Sequence, residues 1–498
     1  MASLGYFVQA LQYFGDIQVW IFMLSGLIVG FIFGLIPGIS GMLALALILP
    51  FAFQMNPTLA LTFMIAVLAV QFKGGLISAI LINIPGTAGN SATLADGFPM
   101  TQKGEGGRAL GAALTGSLTG SLLSVFMALI LIPFILPLIM TLYSAEMFFI
   151  ILMGLVCVGG LGTGSMIKGL ISAGLGLLIA AVGYQPATAE ARFTFGSLYL
   201  YDGVPIIPIV LGLFAIPEMV AAATEGGSIA KGGLNVKMGA DVLRGMKDVL
   251  VHKMLVLRAT VIGFIIGILP ALGASAAAFI SYAQAKQTSK HPEEFGKGAV
   301  EGVIAPETAN AAKEAGDLLT TLALGIPGSD PYALILGAFI IWGIVPGPEM
   351  LTKHADLSLW LMITIIVSNI ITISFALPLA SFFAKIALVP SAVLVPLVLV
   401  LSFLGAYASK GMIEDVFILL ACSVIGVAMK IFNYNRPALL LGYVLGALFE
   451  GYFFTALKIS GPLFFLRPIS LVLMAIIITM IVWEPIKSLI RHRKEAKA

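Results

Sequence analysis

The stretch Gly30-Phe-Ile-Phe-Gly-Leu-Ile-Pro37 recurs as Gly263-Phe-Ile-Ile-Gly-Ile-Leu-Pro270, with five of eight positions identical. Each copy is followed further along the chain by the tripeptide Ile-Pro-Gly, which ends at Gly86 in the first half and at Gly328 in the second. A proline in an apolar helix frees backbone polar groups, which a bilayer tolerates only around a buried cavity or a water-filled site. Paired interruptions of this kind are typical of secondary transporters whose site lies between two repeats.

The composition predicts an all-α polytopic membrane protein. Charged residues make up 10% of the 498 residues and hydrophobic residues 59%, whereas roughly 25% of a soluble domain is charged. Nearly charge-free runs of about 20 residues, each long enough to span a hydrocarbon core, recur along the chain. The net charge of +3 gives no support to nucleic-acid binding.

Apolar segments predict the membrane spans of both halves. The first half offers 20–53 (broken at Pro37), 58–72, 109–140, 145–162, 165–183 and 203–223. The second half offers 254–282 (broken at Pro270), 331–346, 357–385, 389–408, 411–432, 436–455 and 468–490. Two shorter stretches, 74–85 and 318–327, are too short to cross and are predicted to be re-entrant.

These segments predict two structural repeats, near 20–140 and 254–385, each with a broken helix and a re-entrant hairpin. Inverted orientation of the repeats is favoured, because paired hairpins of this type occur in inverted-repeat carriers. The predicted divisions are a first transmembrane half (1–223), a basic cytoplasmic linker (224–253) and a second transmembrane half with C-terminal helices (254–498).

Basic residues cluster in the linker and at the C-terminus, and none precedes Lys73. The positive-inside rule therefore places the linker and the C-terminus in the cytoplasm and the N-terminus outside. We expect a multi-pass protein of the cell (inner) membrane.

The sequence favours no catalytic or metal-binding function. Cys157 and Cys422 lie in apolar runs and are interpreted as core residues, and the four histidines do not cluster. The motif Gly38-Ile-Ser40-Gly41 resembles that of intramembrane serine proteases, but no histidine lies in an apolar segment to activate the serine. We therefore expect neither an enzyme nor a bound cofactor, apart from a coupling Na⁺ or H⁺.

Small polar residues follow every break, and they define two predicted sites. Hydroxyl groups, amides and the free N–H groups of a restarted helix are suited to bind a substrate carboxylate, while unwound carbonyls are suited to bind a cation. The predicted substrate residues are Lys73, Asn83, Pro85, Gly86, Thr87, Asn90, Ser91, Gly325, Pro327, Gly328 and Ser329. The predicted cation residues are Pro37, Gly38, Ser40, Pro270, Ser275, Glu307 and Asn310.

Two of these assignments have open alternatives. Lys73 either pairs with a substrate carboxylate or extends to the membrane interface from the end of the segment 58–72. Glu307 and Asn310 share a helical face and either hold a cation near the site or belong to a solvated cytoplasmic connection spanning 284–317. The charged residues of that connection favour the solvated alternative.

An ordered set of motifs resembles one transporter family. The motifs are Asn83-Ile-Pro-Gly86, Asp96-Gly-Phe-Pro-Met100, Arg192-Phe-Thr-Phe-Gly196, Ser289-Lys-His-Pro-Glu293-Glu-Phe-Gly296, Gly302-Val-Ile-Ala-Pro-Glu307 with Asn310, Leu324-Gly-Ile-Pro-Gly-Ser329 and Pro346-Gly-Pro348. They extend over nearly the whole chain, which resembles the large membrane subunit, TctA, of the tripartite tricarboxylate transporters. The chain departs from that pattern at Lys73, Pro270-Ala271, Ala311-Ala-Lys-Glu314 and Ser329-Asp-Pro331, which leaves the substrate open.

The resemblance implies an ion-coupled permease for citrate-like tricarboxylates or dicarboxylates. It also implies two partners, a small four-helix membrane subunit (TctB-like) and a periplasmic substrate-binding protein (TctC-like). The alternative is a solitary cation-coupled organic-anion carrier that works without a binding protein. A channel is disfavoured, because selectivity filters usually arise from symmetric subunits around one axis.

Overall fold

The computed structural model describes residues 2–36, 41–52, 54–161, 165–185, 190–225, 240–270, 272–386 and 391–495. The described chain is almost entirely helical, which confirms the predicted all-α membrane fold. Seven of its helices are long and apolar enough to cross a membrane. The protein is therefore a multi-pass membrane protein.

The first half begins with a short helix and continues with long apolar ones. Its helices are α1 (Ala2–Gln12), α2 (Ile17–Leu35), α3 (Gly41–Ala52), α4 (Pro57–Ile82), α5 (Leu94–Gln102), α6 (Gly106–Ile139), α7 (Ser144–Leu161) and α8 (Met166–Ala180). A small antiparallel hairpin of β1 (Gly183–Gln185) and β2 (Glu190–Arg192) follows. The half ends with α9 (Ile206–Val210) and α10 (Ile216–Glu225), joined by a π-helical turn at Leu211–Ala215.

The second half has the same helical character. Its helices are α11 (Ala240–Val251), α12 (Lys253–Ile268), α13 (Gly273–Thr288), α14 (Glu301–Leu324), α15 (Asp330–Ile341), α16 (Ala355–Ile386), α17 (Ser391–Lys410), α18 (Ile413–Ile431), α19 (Arg436–Ser460) and α20 (Pro468–Glu495). The predicted break near Pro270 is confirmed, because α12 ends at Ile268 and α13 begins only at Gly273.

Helix α4 is the buried centre of the first half. It begins at Pro57, where the Asn56 side chain accepts a hydrogen bond from the Thr58 backbone N–H at 3.0 Å. Nearly every residue from Leu59 to Leu81 is buried, although the helix has the length and composition of a membrane span. Helices that surround α4 therefore shield it from the lipid.

Glycines bring α2 against α4 and α12 against α14 in the same way. Gly34 and Gly267 are the fifth residues of the two octapeptide copies. A β-carbon at Gly34 would overlap the backbone of Gln71 in α4, and one at Gly267 would overlap the backbone of Lys313 in α14. Such close approach of two helices requires glycine. The contacts of the two octapeptide copies therefore match, whereas the two structural repeats and their inverted orientation stay predictions.

The predicted re-entrant stretches are wrong in their extent. Residues 58–82 belong to one continuous helix, α4, which Lys73 does not interrupt. Residues 318–324 are likewise the end of the longer helix α14. What remains of each predicted hairpin is a sharp turn at the Ile-Pro-Gly tripeptide.

The predicted solvated connection 284–317 is also wrong. Helix α13 continues to Thr288, and only the segment 289–300 lies between it and α14. The Asp96 carboxylate orders this segment, because Oδ1 accepts from the backbone N–H groups of Gly296, Gly298 and Ala299. Helix α14 is buried from Gly302 to Ala323, so its charged side chains lie inside the protein.

Candidate functional site

The two Ile-Pro-Gly tripeptides form turns of the same backbone geometry. We call residues 83–87 the first tip and residues 325–329 the second tip. Asn83 (φ 60°, ψ 29°) follows the last residue of α4 and Gly325 (φ 67°, ψ 25°) follows that of α14, both in the left-handed conformation. Thr87 and Ser329, which close the tips, are both extended. Each tip thus presents a hydroxyl residue after a helix end.

The glycine of each tip lies against the end of a broken helix. A β-carbon at Gly86 would overlap the carbonyl oxygen of Gly34 in α2. A β-carbon at Gly328 would lie 2.8 Å from the carbonyl oxygen of Gly267 in α12. Both tips therefore pack against the corresponding helix of their own half, and only glycine fits at either position.

The first tip is connected to the second half through Glu307. Asn90, in the 3₁₀ turn after the tip, donates to both carboxylate oxygens of Glu307 at 2.9 and 3.1 Å. Thr93 donates to Oε1 at 2.5 Å, and the Thr87 hydroxyl donates to the Asn90 side-chain oxygen at 2.6 Å. Charge-assisted hydrogen bonds of this kind are roughly twice as strong as neutral ones. Glu307 is thus a buried junction between the halves.

The second tip ends in a buried ionic cluster on α14. Lys313 Nζ pairs with the carboxylates of Asp317 and Glu314, the latter at 3.2 Å. Ser329 donates to Asp317 Oδ2 at 2.5 Å, and Tyr332 donates to Glu314 Oε2 at 3.1 Å. All these side chains are buried. Buried ionic groups among apolar helices are expensive and commonly mark a functional site.

Lys73 lies in the interior of α4. Its side chain is 1% exposed, and Nζ donates to the Ala69 carbonyl oxygen at 2.8 Å. Among the described residues, no carboxylate lies within 4.0 Å of this ammonium group. The interfacial alternative is wrong, because α4 continues for more than two turns beyond Lys73. Its contact with a substrate stays a prediction.

Helices α4 and α14 approach each other beside these lysines. Lys313 Nζ lies over the Phe72 ring, 5.8 Å from the ring centre. Asn90 also donates to the Phe72 carbonyl oxygen at 3.1 Å, so the first-tip turn reaches the same region. Lys73, the Glu307 junction and the ionic cluster of α14 therefore form one polar centre, which we call the central site.

Asn310 lies where three elements meet. Its buried amide has no hydrogen-bond partner within the described parts of the chain. A β-carbon at Gly89 would lie 2.7 Å from Asn310 Oδ1 and 2.9 Å from Ala274 at the start of α13. Ser275 is the third residue of α13 and is partly buried. Because α13 runs for 16 residues, its N-terminus carries partial positive charge beside an unpaired amide.

The remaining predicted site residues are distributed unevenly. Asn83 is exposed and Pro85 and Ser91 are partly exposed, whereas Gly325 and Pro327 are buried. Pro270 follows the end of α12 and is partly exposed. Pro37, Gly38 and Ser40 lie outside the described residues. The hydrogen bonds of the described chain do not join Asn83 or Ser91 to Ser329.

The helix N-termini that the sequence predicts directly after the two tips differ from those in the structure. Only a three-residue 3₁₀ turn, Ala88–Asn90, follows the first tip. Helix α15 follows the second tip, but Pro331 lies in its first turn beside the acidic Asp330. Proline has no N–H group and a carboxylate repels anions, so these positions supply fewer anion-binding groups than expected.

The sequence patterns do not identify several residues of the central site, namely Phe72, Thr93, Lys313, Glu314, Asp317 and Tyr332. The charged members were assigned to a solvated loop because their local composition is polar. The signal for a buried helix is the spacing of the charged residues, which lie three or four positions apart with small residues between them.

The family model described as "Tripartite tricarboxylate transporter TctA family" matches residues 20–441. The chain belongs to the TctA family. This TctA-family protein is thus a permease component of a tripartite tricarboxylate transporter, and membership in a transporter family agrees with the expectation that it is not an enzyme.

Two proteins of Agrobacterium vitis are similar to this TctA-family chain. The "Uncharacterized 52.8 kDa protein in TAR-I ttuC' 3'region" is 32% identical over 461 residues, which cover 92% of this chain and 91% of that protein. The "Uncharacterized protein in TAR-II ttuC' 3'region" is 35% identical over 211 residues, which cover 42% of this chain and 87% of that protein. No solved structure matches this TctA-family chain.

Proposed function

We propose that this TctA-family chain carries a di- or tricarboxylate across the cell (inner) membrane together with Na⁺ or H⁺. The observation that supports the carboxylate most directly is Lys73, a buried ammonium group with no carboxylate partner in the described chain. An unpaired buried charge is costly. A substrate carboxylate that enters the central site supplies the missing partner.

The charges of the central site support cation coupling. The central site contains two lysines, Lys73 and Lys313, and three buried carboxylates, those of Glu307, Glu314 and Asp317. The site therefore has a formal charge of −1 before an anionic substrate arrives. An inside-negative potential opposes the entry of each negative charge by about 2.3 kcal/mol per 100 mV. Co-transported cations offset both the potential and the charge of the site.

The proposed ligands follow from these contacts. The substrate contacts Lys73 and the groups of the two tips that face the central site, with Asn310 and the start of α13 as further donors. The cation binds at the carbonyl ends of the broken helices near Pro37 and Pro270, because the last carbonyl groups of a helix have no partner within the helix. We propose this arrangement in place of the two tips alone, because the helix starts after the tips offer few N–H groups.

The partners and the orientation are proposed on the family relationship and on the charge distribution. A periplasmic binding protein delivers the substrate, and a small membrane subunit completes the transporter. The N-terminus lies outside, while the linker 224–253 and the C-terminus lie in the cytoplasm. Two transmembrane halves, 1–223 and 254–498, flank the linker.

Reconstitution in liposomes tests the proposal. Uptake of labelled citrate and of shorter dicarboxylates is measured with the chain alone and with both partner proteins. Imposed Na⁺, pH and voltage gradients are varied separately. We expect saturable uptake that rises with an inward Na⁺ or H⁺ gradient and requires the binding protein. Equal uptake without the partners indicates a solitary carrier, whereas unsaturable flux that is linear in voltage indicates a channel and contradicts the proposal.

A further inference from the structure

Asp317 has one carboxylate oxygen in use and one free. Oδ2 accepts a hydrogen bond from the Ser329 hydroxyl group, with 2.5 Å between the two oxygens, and it also pairs with Lys313. Oδ1 has no hydrogen-bond donor in the described ranges, although the side chain is fully buried. A buried carboxylate oxygen without a donor has lost its hydration and gained nothing in return. Lys313 pairs with the carboxylate through Oδ2, whereas Oδ1 has neither a hydrogen-bond donor nor a cation of its own within the described chain.

The free oxygen lies beside the carbonyl end of α12. A β-carbon on Gly328 would lie 2.7 Å from Asp317 Oδ1 and 2.8 Å from the Gly267 carbonyl oxygen. Gly267 belongs to the last turn of α12, where carbonyl groups lack partners within the helix and carry partial negative charge. Two acceptors thus lie on the same side of Gly328, and each carries full or partial negative charge. Both attract a cation.

The first half lacks this carboxylate. Gly75 and Asp317 precede the glycine of their tips by the same number of residues. A β-carbon at Gly86 would meet the Gly75 α-carbon, and one at Gly328 would meet the Asp317 α-carbon. Gly75 and Asp317 therefore occupy equivalent positions in the two halves. The matching places therefore differ by one full negative charge. Of these two matching positions, only that of the second half carries an anionic side chain.

We propose that Asp317 Oδ1, together with the carbonyl end of α12, binds one Na⁺ ion. The proposal deepens the proposed function, because it names a charged ligand for the coupling cation. The carbonyl ends of the broken helices supply no full negative charge by themselves. Oxygen ligands of this kind, at a half-helix C-terminus, suit Na⁺. The ion also neutralises the formal charge of −1 in the central site. Lys313 holds the other oxygen of the same carboxylate and thereby weakens the attraction for Na⁺.

Thermal unfolding of the purified full chain, without substrate, tests the site. The transition temperature is measured as NaCl replaces KCl or choline chloride at constant ionic strength and pH, since a bound ligand stabilises the folded protein by mass action. We expect a saturable rise that is specific for Na⁺. Asp317→Asn raises the apparent dissociation constant for Na⁺ by at least about tenfold, because it removes the ionic ligand.

Two further variants sharpen the test. Lys313→Met removes the competing positive charge and lowers the apparent dissociation constant for Na⁺. Asp415→Asn is the matched control, because Asp415 is equally buried but accepts its hydrogen bonds from Tyr199 and the Lys410 backbone N–H. It retains the wild-type response to Na⁺. If Asp317→Asn does not fold, the site is still tested by whether Lys313→Met lowers or raises the apparent dissociation constant for Na⁺.

Several results would overturn the site. They are a wild-type response that is equal for Na⁺, K⁺ and choline, an unchanged response in Asp317→Asn, and an unchanged or weaker affinity for Na⁺ in Lys313→Met. Because no carboxylate substrate is added in this measurement, its result is independent of the proposed substrate. Failure of carboxylate uptake in liposomes would contradict the proposed function and leave the Na⁺ site standing.

Discussion

The Asn90 amide donates to both carboxylate oxygens of Glu307, and these residues lie 217 positions apart in the chain. Asn90 follows the tip of the first half, and Glu307 lies on the buried helix α14 of the second half. Thr93 adds a third hydrogen bond to the same carboxylate. The mutual position of the first tip and α14 therefore depends on one buried anion.

The bond between Asn90 and Glu307 should be measurable as an energetic coupling. We expect Asn90→Ala to destabilise the protein by about 1.5–3 kcal/mol, since it removes a hydrogen bond to a charged group. Glu307→Gln should destabilise it as well, and the double variant should lose less than the sum of the two. The measurement is unfolding of the detergent-solubilised protein. Glu293 is exposed, so the losses of unfolding free energy in Asn90→Ala and Glu293→Gln should add in the double variant. If the losses in Asn90→Ala and Glu307→Gln also add, the coupling is contradicted.

Lys73 should matter for the substrate and not for the stability of the substrate-free protein. We expect Lys73→Met to weaken binding of a carboxylate substrate by about 100-fold, because an unpaired buried charge costs about 3 kcal/mol. The loss should be largest for the most highly charged substrates. The transition temperature without substrate should not fall, since the ammonium group has no carboxylate partner there.

The control for Lys73 is Lys168→Met, because Lys168 Nζ also donates to a backbone carbonyl, that of Phe432, at an exposed position. This variant should leave uptake unchanged. Unaltered affinity in Lys73→Met, measured by uptake and by ligand-induced thermal shift, would remove this residue from the substrate site.

The tip glycines should tolerate no side chain. We expect Gly86→Val and Gly328→Val each to abolish uptake while membrane insertion is retained, because a β-carbon at Gly86 or Gly328 meets the backbone of α2 or α14, respectively. Uptake and the amount of membrane-inserted protein are measured together. Gly174→Val is the control, since a β-carbon at that position meets no described atom within 4 Å outside its chain neighbours and the adjacent backbone of its own helix. Wild-type uptake in both tip variants would show that the tips are not part of the transport machinery.

The hydroxyl groups of the two tips should act on the structure as well as on the substrate. Thr87 donates to Asn90, and Ser329 donates to Asp317, so both hydroxyl protons are used within the protein. We expect Ser329→Ala to lower stability by about 1–3 kcal/mol, because Asp317 loses a donor, and Thr87→Ala to lower it less, because its acceptor is neutral. Unfolding without substrate measures both. Loss of substrate affinity with unchanged stability would assign the hydroxyl groups to the substrate alone.

The breaks in the helices could be predicted because they depend on local chemistry. Pro270 cannot continue a helix, and α12 ends two residues before it. The same reasoning fails for α4 and α14, where a polar residue or a run of charges predicts the end of a segment but the helix continues. Lys73 and Lys313 lie inside these helices, because a hydrogen-bonded helix accommodates a charged side chain when surrounding helices bury it. Burial by distant segments leaves no mark on the local composition.

The sequence by itself determined the class of the protein, the breaks at its repeated motifs and its family, because apolar runs, prolines and ordered motifs act locally or by direct comparison. Only the tertiary structure decided which charges meet. It brought Glu307 to Asn90, Asp317 to Ser329 and the end of α12, and left Lys73 without a carboxylate partner in the described chain. The physical reason is that the energy of a buried charge depends on what surrounds it in space, and those neighbours come from segments far apart in the sequence.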